Sequence, residues 1–445
     1  KYLLAVQNST KSAHSPFEVE LFSTKKQWIL FLCACMLVFA WSLSQEYRQY
    51  MAYIAPDNTQ EIYAQVLAQY EKEKNGKTYQ VLKLKSPNGE VFYTTSKEGI
   101  KDLSHRFVRI YGKRLDCTFV EYLRSCFFIS YRMNVLAERD YRDTLRIWIE
   151  SQHNEPLVAS LYKTLFMADF LPYTWRDLSN KLGIAHLIAI SGFHLGILSF
   201  VIGGALSLVY RIFHPYVSYR NKYFDIGIIV FICLFGYLLL LDFTPSFLRA
   251  FVMAMCGFFV VHSGIKLISF RLLFVVVCVC LALFPRLILS IGFVLSVSGV
   301  FFIYLFMRHM HIREGFLHKW VCVPLGFNML IFTHMLPIVH WFFPYFTPLC
   351  LLCIPLSLLF VIFFPAMLLA HIVGLGALCD GFLEWAMGMK LYAIEFYTPW
   401  WFMCFFGVIC TAAIYSKRAY YVLHILGIMF FSYLSICYAA ALDIA

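Results

Sequence analysis

Long apolar runs dominate the chain after Gly183, and a different rhythm precedes them. The first run, Trp28 to Ser44, follows Lys25-Lys26 and is long enough for one membrane span. It reads as a retained anchor rather than a cleaved signal peptide, because no small-residue cleavage site stands out. From about Gln60 to Val120 the pattern becomes short alternating stretches: EIYAQVLAQY, TYQVLKLKS, EVFYTTS and FVRIYGKR. Asn75-Gly76 and Pro87-Asn88-Gly89 mark the clearest turns between them. Strands of this length and spacing predict a small antiparallel barrel, with an OB-like fold as the simplest candidate.

Residues 121–183 read as helical. Arg132, Arg139, Arg142 and Arg146 share one arc at helical spacing, with Tyr141, Leu145 and Trp148 opposite. Two readings stand: a helix lying on a bilayer, or a solvated face on a helix packed against the barrel. Apolar runs then follow at about 184–210, 224–241, 245–262, 267–284, 288–307, 320–343, 348–373, 399–415 and 420–442. With the first anchor they predict a polytopic α-helical membrane protein of about ten spans. The expected organisation is a tail and first helix (1–44), an OB-like domain (45–120), amphipathic helices (121–183) and a helical core (184–445).

Composition sharpens this. Hydrophobic residues make up 60% of the 445 and charged ones 14%, against about 25% charged in soluble domains. That excludes an ordinary soluble enzyme and a disordered chain. The formal net charge of +11 is unevenly placed. Short-loop basic residues such as Lys25, Lys26, Arg211, Lys222, Arg271, Arg308 and Lys319 fall on one side of the predicted spans, and only Arg286 falls on the other. By the positive-inside rule the N-terminus is cytoplasmic and the β-region lies outside. Lys417-Arg418 would then lie outside unless residues 377–396 cross or re-enter. An outer location gives Cys117 and Cys126 two readings, a disulfide in an oxidising compartment or two buried thiols. No metal spacing, cofactor motif or P-loop is present.

Three segments carry candidate chemistry. In GIAHLIAISGFHLGILSFVIGG, residues 183–204, the small residues Gly192, Gly196 and Gly203 share a stripe suited to close helix packing. Ser191 and His194 point away from it, with His186 nearby. Polar groups there either line a cavity or path, or are satisfied by neighbouring carbonyls. A serine hydrolase using Ser191 would need a base and an oxyanion site, and no motif for the latter is evident. In DFTPSFLRAFVM, residues 242–253, Ser246 opens a helix and Arg249 lies one turn in, placed to meet phosphate or to snorkel. In FPRLILSIGFVLSVSGVF, residues 284–301, Gly292 and Gly299 form another packing face. The β-region mixes basic and aromatic residues, among them Lys83, Lys85, Arg106 and Arg109, as single-stranded nucleic acid sites do. Interleaved glutamates make a solvated barrel surface the other reading.

Taken together these segments resemble the ComEC-type competence proteins, bacterial inner-membrane channels for DNA uptake. GIAHLIAISGFHLGIL resembles the family's Ser-Gly-x-His signature, and TPSFLRAFVM its Ser-x-x-Arg-Ala helix. FPRLILSIGFVLSVSGVF is similar to a Gly-Phe-Gln-Leu-Ser-Phe helix, with Val294 and Val297 replacing glutamine and phenylalanine. CLLCIPL, residues 350–356, is similar to an Asn-Leu-Leu-Ala-x-Pro-Leu element, with Cys350 for the asparagine. The resemblance covers about residues 60–375. It implies a channel passing one DNA strand inward, with His186, Ser191, Gly192, His194, Ser246 and Arg249 lining the path. It also implies an outer DNA-receptor protein, a cytoplasmic strand-binding or motor protein, and a homo-oligomer as partners. The expected form is short, without the metallo-β-lactamase-like domain of many members: His309-Met310-His311 is followed by Arg313 and Glu314 where an HxHxDH motif needs Asp and His. No enzymatic activity is expected. The alternative functions are a small-solute or lipid-linked-substrate transporter, or an intramembrane serine hydrolase using Ser191.

Overall fold

The computed structural model describes residues 22–442 apart from 23, 55–58, 75–76, 88–89, 97–100, 139, 214–220, 263–269, 310–314 and 316. The expected turns at Asn75-Gly76 and Asn88-Gly89, and most of the His309-Met310-His311 segment, lie outside the described residues. The first helix, α1 (Lys25–Ile54), carries the run read as an anchor.

Strands β1 (Gln60–Lys74), β2 (Lys77–Lys85), β3 (Val91–Ser96), β4 (Phe107–Arg114) and β5 (Phe128–Val135) form one antiparallel sheet in the order β3-β2-β1-β4-β5. Its two edges approach each other, since Tyr93 on β3 bridges Phe127 in parallel and donates its N–H to the Cys126 carbonyl. Alternation fixes the inward set: Ala64, Val66, Leu82, Leu84, Phe92, Val108, Ile110 and Phe128 are buried together. Between β4 and β5 lies the short helix α2 (Phe119–Arg124), opened by a capping box between Thr118 and Glu121. β5 falls beyond residue 120, where helix was expected. Arg132 stands on that strand while Arg142 and Arg146 belong to later segments, and Arg139 lies outside the described residues, so the arc is not the face of one helix. Cys117 and Cys126 form a disulfide, Cα–Cα 6.1 Å, and the Tyr50 hydroxyl donates to the Cys117 carbonyl, fastening α1 to this unit.

Helices α3 (Asp143–Glu150), α4 (Pro156–Met167), α5 (Tyr173–Lys181) and α6 (Ala185–Ile188) connect the sheet to the apolar helices. These are α7 (Gly192–Phe213), α8 (Lys222–Leu240), α9 (Pro245–His262), α10 (Phe270–Leu283), α11 (Ile291–His309) and α12 (Val323–Phe342). After β6 (Tyr345–Phe346) come α13 (Cys353–Val373) and α14 (Asp380–Met387), then β7 (Ile394–Glu395), α15 (Trp400–Tyr415) and α16 (Lys417–Leu442). Seven of the described helices are long and apolar enough to cross a membrane; Ser246–Phe258, Phe270–Leu283 and Trp400–Tyr415 are shorter apolar helices. The chain is thus mostly helical, with membrane-capable helices and a small antiparallel sheet.

The run expected as one span over 184–210 is broken. Ala189 is extended, α6 ends at Ile188, and α7 begins at Gly192 with the Phe193 N–H donating to Ser191 Oγ. β6 pairs antiparallel with β7, Tyr345 opposite Glu395. The exit of α12 and the entry to α15 therefore lie side by side, and residues 347–393 form an excursion that starts and ends at one place.

Candidate functional site

The break before α7 exposes a backbone carbonyl at Ile190, and the Ser246 hydroxyl at the start of α9 donates to it at 2.6 Å. A second contact binds the same two helices. A Cβ on Gly192 would stand 3.4 Å from the Ala250 methyl, so the glycine sets how closely α7 and α9 approach. Arg249, on the same turn as Ala250, reaches the start of α11, where its Nη2 would lie 3.4 Å from a Cβ at Gly292. α11 opens with the Phe293 N–H donating to Ser290 Oγ at 3.3 Å. The N-termini of α7 and α11 thus lie beside the first turns of α9, and the Arg249 guanidinium, partly buried, reaches that of α11 with no hydrogen bond or ion pair among the described residues. Helix N-termini carry partial positive charge, and an arginine among them has every reason to seek an anion.

Other residues singled out in the sequence are placed differently. His194 is fully enclosed, its ring edge-on to Phe360 and Phe364 of α13. Its Nδ1 accepts the Ser191 N–H at 3.3 Å, and its Nε2 meets no partner. It therefore packs where α7 crosses α13 and does not face an open path. We expect His194→Ala to leave a cavity there and cost about 2–4 kcal/mol, as buried large-to-small changes do. Thermal unfolding in detergent would reveal it, and an unchanged midpoint would contradict the placement. His186 holds Gly183 through Nδ1 and its carbonyl, 2.9 Å. Gly203 faces Ile226 and Val230 of α8, while Gly196 and Gly299 meet nothing within 4 Å and so contribute no helix contact.

The basic residues of the sheet are dispersed. Lys85 Nζ bonds Asp242 at 2.6 Å, docking the sheet on the turn between α8 and α9, where Asp242 and Phe243 adopt positive φ of 51° and 53°. Lys83 lies 6.0 Å over the Tyr93 ring, where burial lowers its pKa. Arg109 faces Glu61 at 3.6 Å, both exposed, and Arg106 on the neighbouring turn is partly exposed.

The buried charges that join sheet to helices escaped the sequence reading. Arg146 binds Asp169 through Nε and Nη2 at 2.8 and 3.0 Å, and through Nη1 reaches Asp143 at 2.8 Å and Asp140 at 3.1 Å. Arg142 adds a second cation to Asp140. Gln65 of β1 donates to Asp140, and His105 lies 3.4 Å from Asp169. Burial alone would raise the Asp140 carboxyl, but hydrogen bonds and charge from Arg142, then Arg146, hold it well below the usual carboxylate range. Burial pushes the His105 imidazole down; Asp169 opposes this and the arginines add to it. Both groups bind protons less readily folded than unfolded. Their contributions are complete above the unfolded pKa values, about 6.5 for His and 3.9 for Asp, and are lost as pH falls. We expect docking of the sheet to weaken from about pH 6 downward, seen as faster proteolysis between residues 136 and 142; pH-independent cleavage would count against it.

A model of a protein family described as "Competence: Competence protein" matches residues 168–440. The chain belongs to this competence protein family, of the ComEC type. The matched range contains the α7–α9–α11 junction and, except for the last two residues of α16, every membrane-capable helix after α1. It begins at Ala168, between α4 and α5, and so leaves the sheet outside. No curated protein and no solved structure matches this family member. Membership associates the chain with DNA uptake in competence and with a membrane.

Proposed function

We propose that the chain admits single-stranded DNA across the bacterial cytoplasmic membrane during natural transformation, and that the junction of α7, α9 and α11 receives the strand's phosphates. One observation carries this reading. Arg249 reaches the N-terminus of α11 beside the α7–α9 contact, with no carboxylate to neutralise it among the described residues, an arrangement that suits an anion and that a merely packed arginine does not require. The broken backbone before α7, capped by Ser191 and Ser246, suits an irregular segment lining a polar path. The sheet order and the β3–β5 approach support an OB-like barrel, which we place outside the cytoplasm by the positive-inside rule. There its remaining exposed basic and aromatic groups, Arg106 among them, guide the strand, while Lys85 serves docking. The chain guides a polyanion and catalyses nothing; a receptor outside and a strand-binding or motor protein inside complete the pathway.

The β6–β7 pairing supports a definite topology. Because residues 347–393 leave and return at one face, we read α13, though long and apolar enough to cross, as lying along that face. The crossing helices are then α1, α7, α8, α9, α10, α11, α12, α15 and α16. On this reading Lys417-Arg418 falls on the cytoplasmic side with the other basic loops. Trp385, Tyr397, Trp400 and Trp401, all exposed, then form an aromatic girdle at the outer interface.

The test is deletion and complementation with labelled DNA. The deletion should keep DNA capture in the outer compartment and lose entry into the cytoplasm, and the cloned gene should restore it. Undiminished cytoplasmic entry in the deletion would favour a small-solute transporter instead.

A further inference from the structure

Helices α11, α12, α15 and α16 pack around an apolar core of their own, in which Phe302, Leu305, Phe406, Ala413 and Leu423 are buried. Ionisable rings are set into it. His334 on α12 has no exposed surface, and its Nε2 lies 2.6 Å from Nδ1 of His424 on α16, the rings stacked at 4.6 Å. His424 lies 4.3 Å from the Tyr420 ring, and Tyr420 stacks on His309 at 4.6 Å. His309 ends α11 and donates from Nε2 to the Ala413 carbonyl, so this line of rings begins at the α15–α16 connection and reaches inward. One turn beyond His334, Pro337 lacks the N–H that would bond the Thr333 carbonyl. Gly427 of α16 packs against that carbonyl, where a Cβ would come within 2.9 Å.

Apolar packing does not require these rings. A histidine in a membrane interior is costly, and a leucine or phenylalanine would fill the same space without an unmet polar atom. Yet His334 Nδ1 has no partner at all. Hydrogen-bond chemistry defines what the pair can do. For two neutral rings to share the 2.6 Å contact, one must donate and the other accept. If His334 donates, its own Nδ1 is left bare; if His424 donates, its Nε2 is left bare. In either tautomer one nitrogen outside the shared bond can accept a proton.

We propose that the His334–His424 pair is a proton-binding site within the helical bundle, reached from the α15–α16 connection through His309 and Tyr420. The other titratable groups around it are Tyr421 on α16 and Cys410 on α15, with Arg308, Lys417 and Arg418 at the end of the bundle. Helices α11, α12, α15 and α16 contain no carboxylate. The added charge is spread over two rings without a counter-ion, so it favours any arrangement that lets α12 and α16 part and admit water. A proton arriving along this line therefore biases the bundle between two states. The inference does not rest on the DNA reading, since it concerns helices that the Arg249 junction does not use beyond α11.

The test uses the full chain, labelled with nitrogen-15 histidine, in lipid nanodiscs. Signals of the pair are assigned by their loss in His334→Gln and His424→Gln. On acidification from about pH 7 to about pH 4, the wild-type pair should take up one proton, both rings changing together. Each single variant should lose this joint change. Should either variant fail to fold, the wild-type titration with the remaining variant still decides. Two rings that keep their neutral signals throughout overturn the proposal. So does an equimolar transition metal retained by protein purified without chelators, since the two nitrogens would then be ligands.

Discussion

Replacing Arg146 by methionine should cost about 3–5 kcal/mol, the usual effect of removing one partner from a buried ion network. Arg146 is 5% exposed and bonds three carboxylates, two of them as deeply buried as itself. Without it Asp169 keeps only His105, an imidazole that burial holds toward its neutral form, and Asp140 keeps only Arg142 as a cation. Lysine should rescue little, because one ammonium cannot reproduce the planar fork that spans Asp169 through two nitrogens. Adding Asp169→Asn to Arg146→Met should recover part of the loss, since the second change removes the stranded charge. The measurement is thermal unfolding of the purified chain, with protease cleavage between residues 136 and 142 reporting release of the sheet. A loss below about 1 kcal/mol, the level of a surface pair, would show that these charges do not fasten the sheet to the helices.

This network also shows where sequence reading stops. Its members lie at positions 65, 105, 140, 142, 143, 146 and 169, and nothing in their spacing pairs them. Arg132, Arg142 and Arg146 satisfy a helical arc by coincidence, because Arg132 belongs to β5 and Arg142 and Arg146 to the start of α3. The apolar helices were legible for the opposite reason. Lipid demands a continuous apolar run with every backbone group bonded within it, so a membrane-capable helix declares itself locally. The first four strands were legible through alternation over one buried face. β5 hid because its sequence, FISYRMNV, holds three polar or charged side chains and leaves only Phe128 buried. The same limit applies to the histidines. His309 looks like part of a basic loop and His334 and His424 like unrelated polar interruptions in two apolar runs, and only the packing of α11, α12 and α16 makes them neighbours. Arg249 was visible as a charge one turn inside an apolar helix. What surrounds it was not, since three helix starts separated by 100 residues meet only in the folded chain.

That meeting point sets the second expected result. Arg249→Ala should lower transformation about 10- to 100-fold, the loss expected when a charge-assisted hydrogen bond to phosphate worth about 1.5–3 kcal/mol is removed. The amount of protein in the membrane should stay unchanged. The structural reason is that Arg249 has no ion pair to break among the described residues, so truncating it strands no buried carboxylate. In this respect it is the reverse of Arg146, whose loss acts through stability. Lysine should restore part of the activity, because it keeps the charge but not the fork. Ser246→Ala should have a smaller effect, as it removes one neutral bond to the Ile190 carbonyl, worth about 1 kcal/mol. DNA capture in the outer compartment should be normal in all three. The graded order alanine, lysine, wild type separates an anion contact from a packing role, because lysine and alanine alike would fail if only the arginine's shape against Gly292 mattered. Transformation at the wild-type level in Arg249→Ala would remove this residue from the strand's path and, with it, the observation on which the junction's role depends.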